Sequence, residues 1–198
     1  VTGSYADLET LYVTNKAGFA NLGNENVSID NIVLASQVNT IAKATTGIVS
    51  ATVEATAADL VANLKDANAT DKLILTVTGE AKASDLNTLD GKTSEDVIIK
   101  ANATVIGNIA DATKVFVTNK DNFTNEDTTA VTISGTVTAA QADAIAYATS
   151  KAVTATIAAG TATALNTALA NAVGTDKLTL TVNGTTAAVA DLNTLKGK

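Results

Sequence analysis

The chain has no histidine, cysteine, methionine, tryptophan or proline, and all 13 of its basic residues are lysine. Without histidine and cysteine, the Ser-His-Asp triad, the Cys-His pair and the usual zinc and haem ligand sets are excluded. Without arginine there is no planar fork for bidentate binding of phosphate or carboxylate. Aromatic residues make up 3% of the chain, which leaves little surface on which sugars or bases could stack. No segment approaches the roughly 20 consecutive apolar residues of a membrane span, so no membrane insertion is expected. Twenty acidic residues against 13 lysines give a net charge of −7, which argues against nucleic acid and anionic membrane surfaces as partners. A chain without cysteine suits the cytosol or a bacterial secreted protein, and the acidic, Thr- and Asn-rich composition favours the second.

What is present is 46% apolar, almost all Ala, Val, Leu and Ile, in 198 residues. Small aliphatic side chains suit thin, regular layers better than a bulky centre. Ala and Thr together supply roughly a third of the residues, a strong bias.

Self-similarity dominates the order of residues. Tyr12-Val13-Thr14-Asn15-Lys16 returns as Phe116-Val117-Thr118-Asn119-Lys120, and Val27-Ser28-Ile29 returns as Val131-Thr132-Ile133. The stretch from Gln37 to Thr52 returns from Gln141 to Thr156. After a one-residue slip, Thr70-Asp71-Lys72-Leu73 returns as Thr175-Asp176-Lys177-Leu178. Asp85-Leu86-Asn87-Thr88-Leu89 returns as Asp191-Leu192-Asn193-Thr194-Leu195. The chain therefore reads as a tandem duplication, residues 1–104 and 105–198. The second copy stops at Lys198 where the first runs on through Thr93-Ser94, so the expected setting is a fragment of a larger repetitive protein.

Period-2 alternation predicts strands at 11–15, 25–30, 48–55, 73–79, 96–100, 114–118, 130–134, 152–158 and 178–183. Helical spacing lies between several of them, as in Leu34, Val38, Ile41 and Ala42, or Leu60, Leu64 and Ala67. Ala144, Ile145 and Ala148, and Leu165, Leu169 and Val173, read the same way. Thr56-Ala57-Ala58-Asp59 resembles a capping box with Asp in place of Glu. Strand, short helix and strand at this unit length predict an α/β class fold: one continuous right-handed solenoid with a parallel sheet and helices on one face. Tandem all-β sandwich domains are the alternative.

Alternation also assigns the strand faces. One set is apolar, as in Val49, Ala51 and Val53 or Leu73, Leu75 and Val77. The opposite set is rich in hydroxyls, and the candidate binding surface is its Thr52, Thr76, Thr78, Thr132, Thr154, Thr156, Thr179 and Thr181. Stacked about 4.8 Å apart in a parallel sheet, such side chains form an ordered ladder, able to meet ice, a polysaccharide or another regular surface. The plainer role of these threonines is β propensity with solubility. Acidic turns at Asn24-Glu25, Glu95-Asp96 and Asn125-Glu126-Asp127 carry oxygens of the kind Ca²⁺ takes, without any calcium-loop motif, so no cofactor is expected. No acidic residue sits in a distinctive catalytic context, and no enzyme activity is expected.

The phrases Ala-Ser-Asp-Leu-Asn-Thr-Leu-Asp-Gly-Lys-Thr (83–93), Ala-Thr-Ala-Ala-Asp-Leu (55–60) and Asn-Leu-Gly-Asn-Glu-Asn-Val-Ser-Ile (21–29) resemble Ala/Thr-rich repeats of very large bacterial surface proteins. Such repeats occur in cyanobacterial and proteobacterial S-layer-like and adhesin-like proteins. The resemblance implies a secreted, cell-surface protein with a structural or adhesive role. Its partners would be other copies of the repeat, itself, or a cell-surface or polysaccharide ligand. It implies no functional residues.

Overall fold

The computed structural model describes residues 1–184 and 186–198. In chain order the strands are β1 (Thr2–Gly3), β2 (Val27–Ile32), β3 (Val49–Ala55), β4 (Lys72–Val77), β5 (Glu80–Lys82) and β6 (Val97–Ile99). They continue with β7 (Thr104–Gly107), β8 (Phe123–Thr124), β9 (Ala130–Val137), β10 (Val153–Ile157) and β11 (Lys177–Thr179). The α-helices are α1 (Tyr5–Glu9), α2 (Ala35–Ala44), α3 (Ala57–Asn63), α4 (Ala83–Asp90), α5 (Ile109–Thr113), α6 (Ala139–Ala148), α7 (Ala162–Ala168) and α8 (Val189–Lys196). The chain divides into two units: Val1–Ala81 with Asp85–Lys100 and Asp121–Thr124, and Lys82–Ser84 with Ala101–Lys120 and Asn125–Lys198.

The first unit holds a sheet in the order β1-β2-β3-β4-β6-β8. The second sheet runs β11-β10-β9-β7-β5. Both are parallel, which sets aside the sandwich alternative. Parallel neighbours need a crossover, and a helix supplies it in most steps. Paired residues in the first sheet lie 20 to 26 positions apart, as from Ile32 to Thr52 and from Val97 to Phe123. Side chains of like direction therefore stack in rows. Val53, Leu75 and Val97 form one buried row that ends on Phe123. In the second unit Val105, Val131 and Val153 form another buried row.

The helices begin where the sequence provides a cap. The hydroxyl of Thr56 accepts the N–H of Asp59 at 3.2 Å and donates to the Asp59 carboxylate at 2.8 Å, so the expected box is present in modified form. Ser4 with Asp7, Asn108 with Asp111 and Thr138 with Gln141 follow the same plan.

Two expected strands are wrong. Residues 11–15 and 114–118 lie largely in π-helical turns, Thr10–Thr14 and Lys114–Thr118, that continue α1 and α5. A short apolar run does not by itself separate strand from helix. The residues before it decide: Leu8 and Tyr12, like Ala112 and Phe116, are buried at i, i+4 spacing behind the caps at Ser4 and Asn108.

Polar groups stitch three of the strands, β3, β6 and β10, to a sheet neighbour. Thr45, Thr93 and Thr149 are buried just ahead of a strand. The Thr45 hydroxyl donates to the Glu25 carbonyl (2.8 Å), Thr93 to that of Leu73 (2.8 Å) and Thr149 to that of Thr129 (2.7 Å). Each also accepts the N–H two residues on, from Gly47, Glu95 and Lys151. The next residue repeats the pattern on the backbone: the N–H of Thr46, Ser94 and Ser150 donates to the carbonyl of Gly23, Asp71 and Asp127, each at 2.7 Å.

The two copies keep contacts even where they exchange residues. Asn39 binds Asp66 through its amide in the first, accepting the Asp66 N–H at 2.7 Å and donating to its carboxylate at 2.8 Å. At the equivalent positions Asp143 binds Asn171, with distances of 2.6 and 2.7 Å. The acid and the amide have changed places, and the same two bonds form.

Candidate functional site

The threonines singled out above fall on two sheets of different character. In the first unit the rows that hold these threonines are broken, although Thr2, Ser28 and Ser50 pair in a row that ends at Lys72. Thr52 lies between Ile32 and Ile74, and Thr76 between Glu54 and Ile98. Ile32 is 68% exposed and Ile74 44% exposed, so this row is apolar at both sides. Glu54 forms an ion pair with Lys100. Thr78 stands one residue beyond β4, its N–H bonded to the Ala55 carbonyl. Thr52, Thr76 and Thr78 therefore do not make a hydroxyl ladder.

The second sheet does. It does so in one row: Thr132 and Thr154 pair between Ile106 and Lys177, whereas Thr156 pairs with Thr179 on one side and Thr136 on the other. Thr136, Thr156 and Thr179 are exposed and form an unbroken row. Thr181 follows β11, and its carbonyl accepts the Gly160 N–H at 3.1 Å. The row Thr136–Thr156–Thr179 is the counterpart of Ile32–Thr52–Ile74, so the duplication has replaced two exposed isoleucines by threonine.

Alternation alone misses Thr136. Between Thr132 and Thr136 the strand carries two more residues than its neighbour carries between Thr154 and Thr156, a bulge centred on Gly135 at φ 79°. The same irregularity lies between Ser28 and Ile32, where Asn31 takes φ 68°. The signal was in the sequence: Asn31 and Gly135 are equivalent, and both residue types accept left-handed backbone within a strand.

Behind each π-helical turn lies a groove, also duplicated. One of about 590 Å³ is lined by Tyr12, Val13, Lys16, Asn39 and Lys43, and one of about 580 Å³ by Phe116, Val117, Lys120, Ala144 and Tyr147. Under the first, the Tyr12 hydroxyl donates to Glu25, whose carboxylate also accepts the N–H of Gly23 at 2.7 Å and of Asn24 at 3.1 Å. The Gly23 N–H is the main reason the Glu25 carboxyl lies below its ordinary range, while burial pushes the Tyr12 phenol up. The second copy has Phe116 and Thr129 there, with hydroxyl and carboxylate lost together.

A carboxyl whose folded value is lowered stabilises the native state above its unfolded value, taken as 4.5, and that stabilisation disappears as pH falls through the lowered value. Glu25→Gln is therefore expected to flatten the acid side of a stability–pH curve measured by urea unfolding. An acid limb identical to that of the parent chain would refute the assignment.

Among the described residues no group of three or more acidic side chains is placed to hold a metal ion. No helix there is long and apolar enough to cross a membrane. No protein-family model matches the chain, nor does any curated protein or solved structure.

Proposed function

We propose that the chain is a structural repeat module of a secreted bacterial cell-surface protein, a spacer or lattice component without catalytic activity. In this reading each strand and the helix after it form one turn of a right-handed α/β solenoid, and the protein's work is to hold its form. The observation that carries it is the recurring stitch at Thr45, Thr93 and Thr149, with its partner residues Thr46, Ser94 and Ser150. Hydrogen bonds that recur at three steps, while the exposed faces differ, are what a scaffold selected for its backbone would keep.

The test is antibody raised against the chain, applied to intact and to lysed cells of the organism that makes it. Label on intact cells, lost on brief protease treatment, is expected. Label only after lysis would overturn the surface assignment.

The row Thr136–Thr156–Thr179 favours a second reading, an adhesive module that meets ice or a polysaccharide through that face. Its hydroxyls repeat at the strand spacing of about 4.8 Å. If that face binds, Thr156→Lys with Thr179→Lys abolishes retention on ice or polysaccharide at an unchanged melting temperature. Retention equal to that of the parent chain rules the reading out.

A further inference from the structure

Asn183 is the one asparagine in the sequence that precedes a glycine, Gly184. The side-chain amide carbon of an asparagine can close a five-membered ring with the backbone nitrogen of the next residue. A Cβ on that next residue hinders the approach of the two atoms, and glycine has none. Asn26, Asn39, Asn68, Asn108 and Asn171 all precede residues with a Cβ, and side-chain hydrogen bonds hold them besides. Around Asn183 the side chain is left free to turn. Asn183 and Gly184 are exposed, and among the described residues the Asn183 amide has no partner. Only its backbone is held: the N–H donates to the Gly160 carbonyl at 2.9 Å, beside the parallel bridge between Gly160 and Val182. Gly184 turns at φ 109°, and a Cβ placed there would meet no atom nearer than 3.8 Å.

The duplication carries its own control. Thr78 is the counterpart of Asn183, and its N–H makes the equivalent bond, to the Ala55 carbonyl at 2.9 Å. It too precedes a glycine in the left-handed region, Gly79 at φ 71°. The backbone at this step is therefore kept, while the threonine side chain offers a hydroxyl and no carbonyl carbon to attack. The reactive pair is confined to the second copy.

We propose that Asn183 is a site of spontaneous covalent modification, converted by water into a mixture of isoaspartate and aspartate. The Gly184 nitrogen, its proton passed to hydroxide, attacks Cγ of Asn183. The new C–N bond closes a succinimide ring, the Cγ–Nδ2 bond breaks, and Nδ2 leaves as ammonia with a proton taken from water. Water then opens the ring. Attack at Cγ gives aspartate, and attack at the main-chain carbonyl gives isoaspartate, in which the chain runs through Cγ. Neither oxidant nor reductant takes part. Both products add a negative charge. Isoaspartate also adds one atom to the backbone beside the bridge, so the bond from residue 183 to Gly160 is expected to loosen. The chemistry does not depend on the repeat-module reading.

Incubating the whole chain at mildly alkaline pH, with peptide mapping by mass spectrometry, tests this. Cleavage after lysine yields the peptide 178–196, which holds both Asn183 and the exposed Asn193. Asn193 serves as the reference, because the branched Cβ of Thr194 follows it. Asn183 is expected to convert at least tenfold faster than Asn193, with two products that separate on chromatography and ammonia released in step. The rate should rise about tenfold per pH unit, as the deprotonated share of a group far below its pKa does. Gly184→Ala should slow conversion at least tenfold, and Asn183→Thr, the residue of the first copy, should abolish ammonia release from this peptide at that rate. Hydrogen exchange at the residue 183 amide should quicken as isoaspartate accumulates, and unchanged exchange would overturn the link to the bridge. Conversion at Asn183 no faster than at Asn193, a Gly184→Ala variant that converts at the parent rate, or a rate indifferent to pH would each overturn the site itself.

Discussion

Replacing Asp71 by Ala is expected to destabilise the first unit by about 3 kcal/mol, read as a lower urea midpoint at unchanged slope. Asp71 is 1% exposed, and its carboxylate has no lysine partner in the bonds it makes. One oxygen accepts the Val49 N–H at 2.8 Å, and the other accepts the Asn68 N–H at 2.9 Å. Val49 is the first residue of β3, and its N–H is buried with no strand residue opposite to receive it. Asp71 stands just ahead of β4 and fills that place with a side chain.

Truncation removes the acceptor and leaves the donor without solvent, which costs more than the bond itself contributes. Asp71→Asn keeps one acceptor oxygen and turns an amide toward a donor, so a smaller loss is expected. Asp176 performs the same task, accepting Val153 N–H at 2.7 Å and Val173 N–H at 2.9 Å, but it is only half-buried. Asp176→Ala should therefore cost about half as much, since water reaches the orphaned groups. Equal losses at the two positions would show that burial does not set the scale.

The repeat around these aspartates was plain in the sequence, yet their role was not. Thr70-Asp71-Lys72-Leu73 and Thr175-Asp176-Lys177-Leu178 stand out as copies, and identity alone cannot say that the acid is the buried member. Side-chain to backbone bonds across 22 residues leave no local pattern. The class of the fold was legible because alternation of Val, Ile and Thr and the helical spacings at Leu34–Ala42 and Leu60–Ala67 are local properties. Alternation also placed the buried side chains of β3, β4, β9 and β10 correctly, but not those of Leu178, Leu180 and Val182.

It failed at Leu11–Val13 and Val115–Val117, where a run of three apolar residues suits either period and the cap upstream decides. The face of hydroxyls was half legible for a related reason. Which threonines lie on the outward side follows from alternation, but lateral neighbours follow from register. A bulge at Asn31 or Gly135 moves register by two residues without disturbing the inside–outside pattern. That is why Thr136 was missed, and why Thr52 gained Ile32 as a neighbour.

Gly47 tests how far equivalence between the copies reaches. Its φ is not in the left-handed region, so the demand for glycine there is one of space. A Cβ at this position would overlap the Glu25 carbonyl and come within 2.7 Å of the Asn26 nitrogen, both of them backbone. Backbone held at Glu25 by Thr45 and at Gly23 by Thr46 cannot retreat without breaking those bonds. Gly47→Ala is therefore expected to cost about 3 kcal/mol, the upper part of the range for overpacking.

The counterpart of Gly47 is Lys151, exposed and carrying a full side chain. The stitch at Thr149 and Ser150 is the same, but the segment it holds is a 3-10 turn at Glu126–Thr128, where the first copy has the turn at Gly23–Glu25. Lys151→Ala should change stability by no more than about 0.5 kcal/mol. Urea unfolding of both variants against the parent chain gives the comparison. A Gly47→Ala variant as stable as Lys151→Ala would mean that the turn at Gly23–Glu25 gives way, and that the stitch at Thr45 fixes the strand start less tightly than its bond lengths imply.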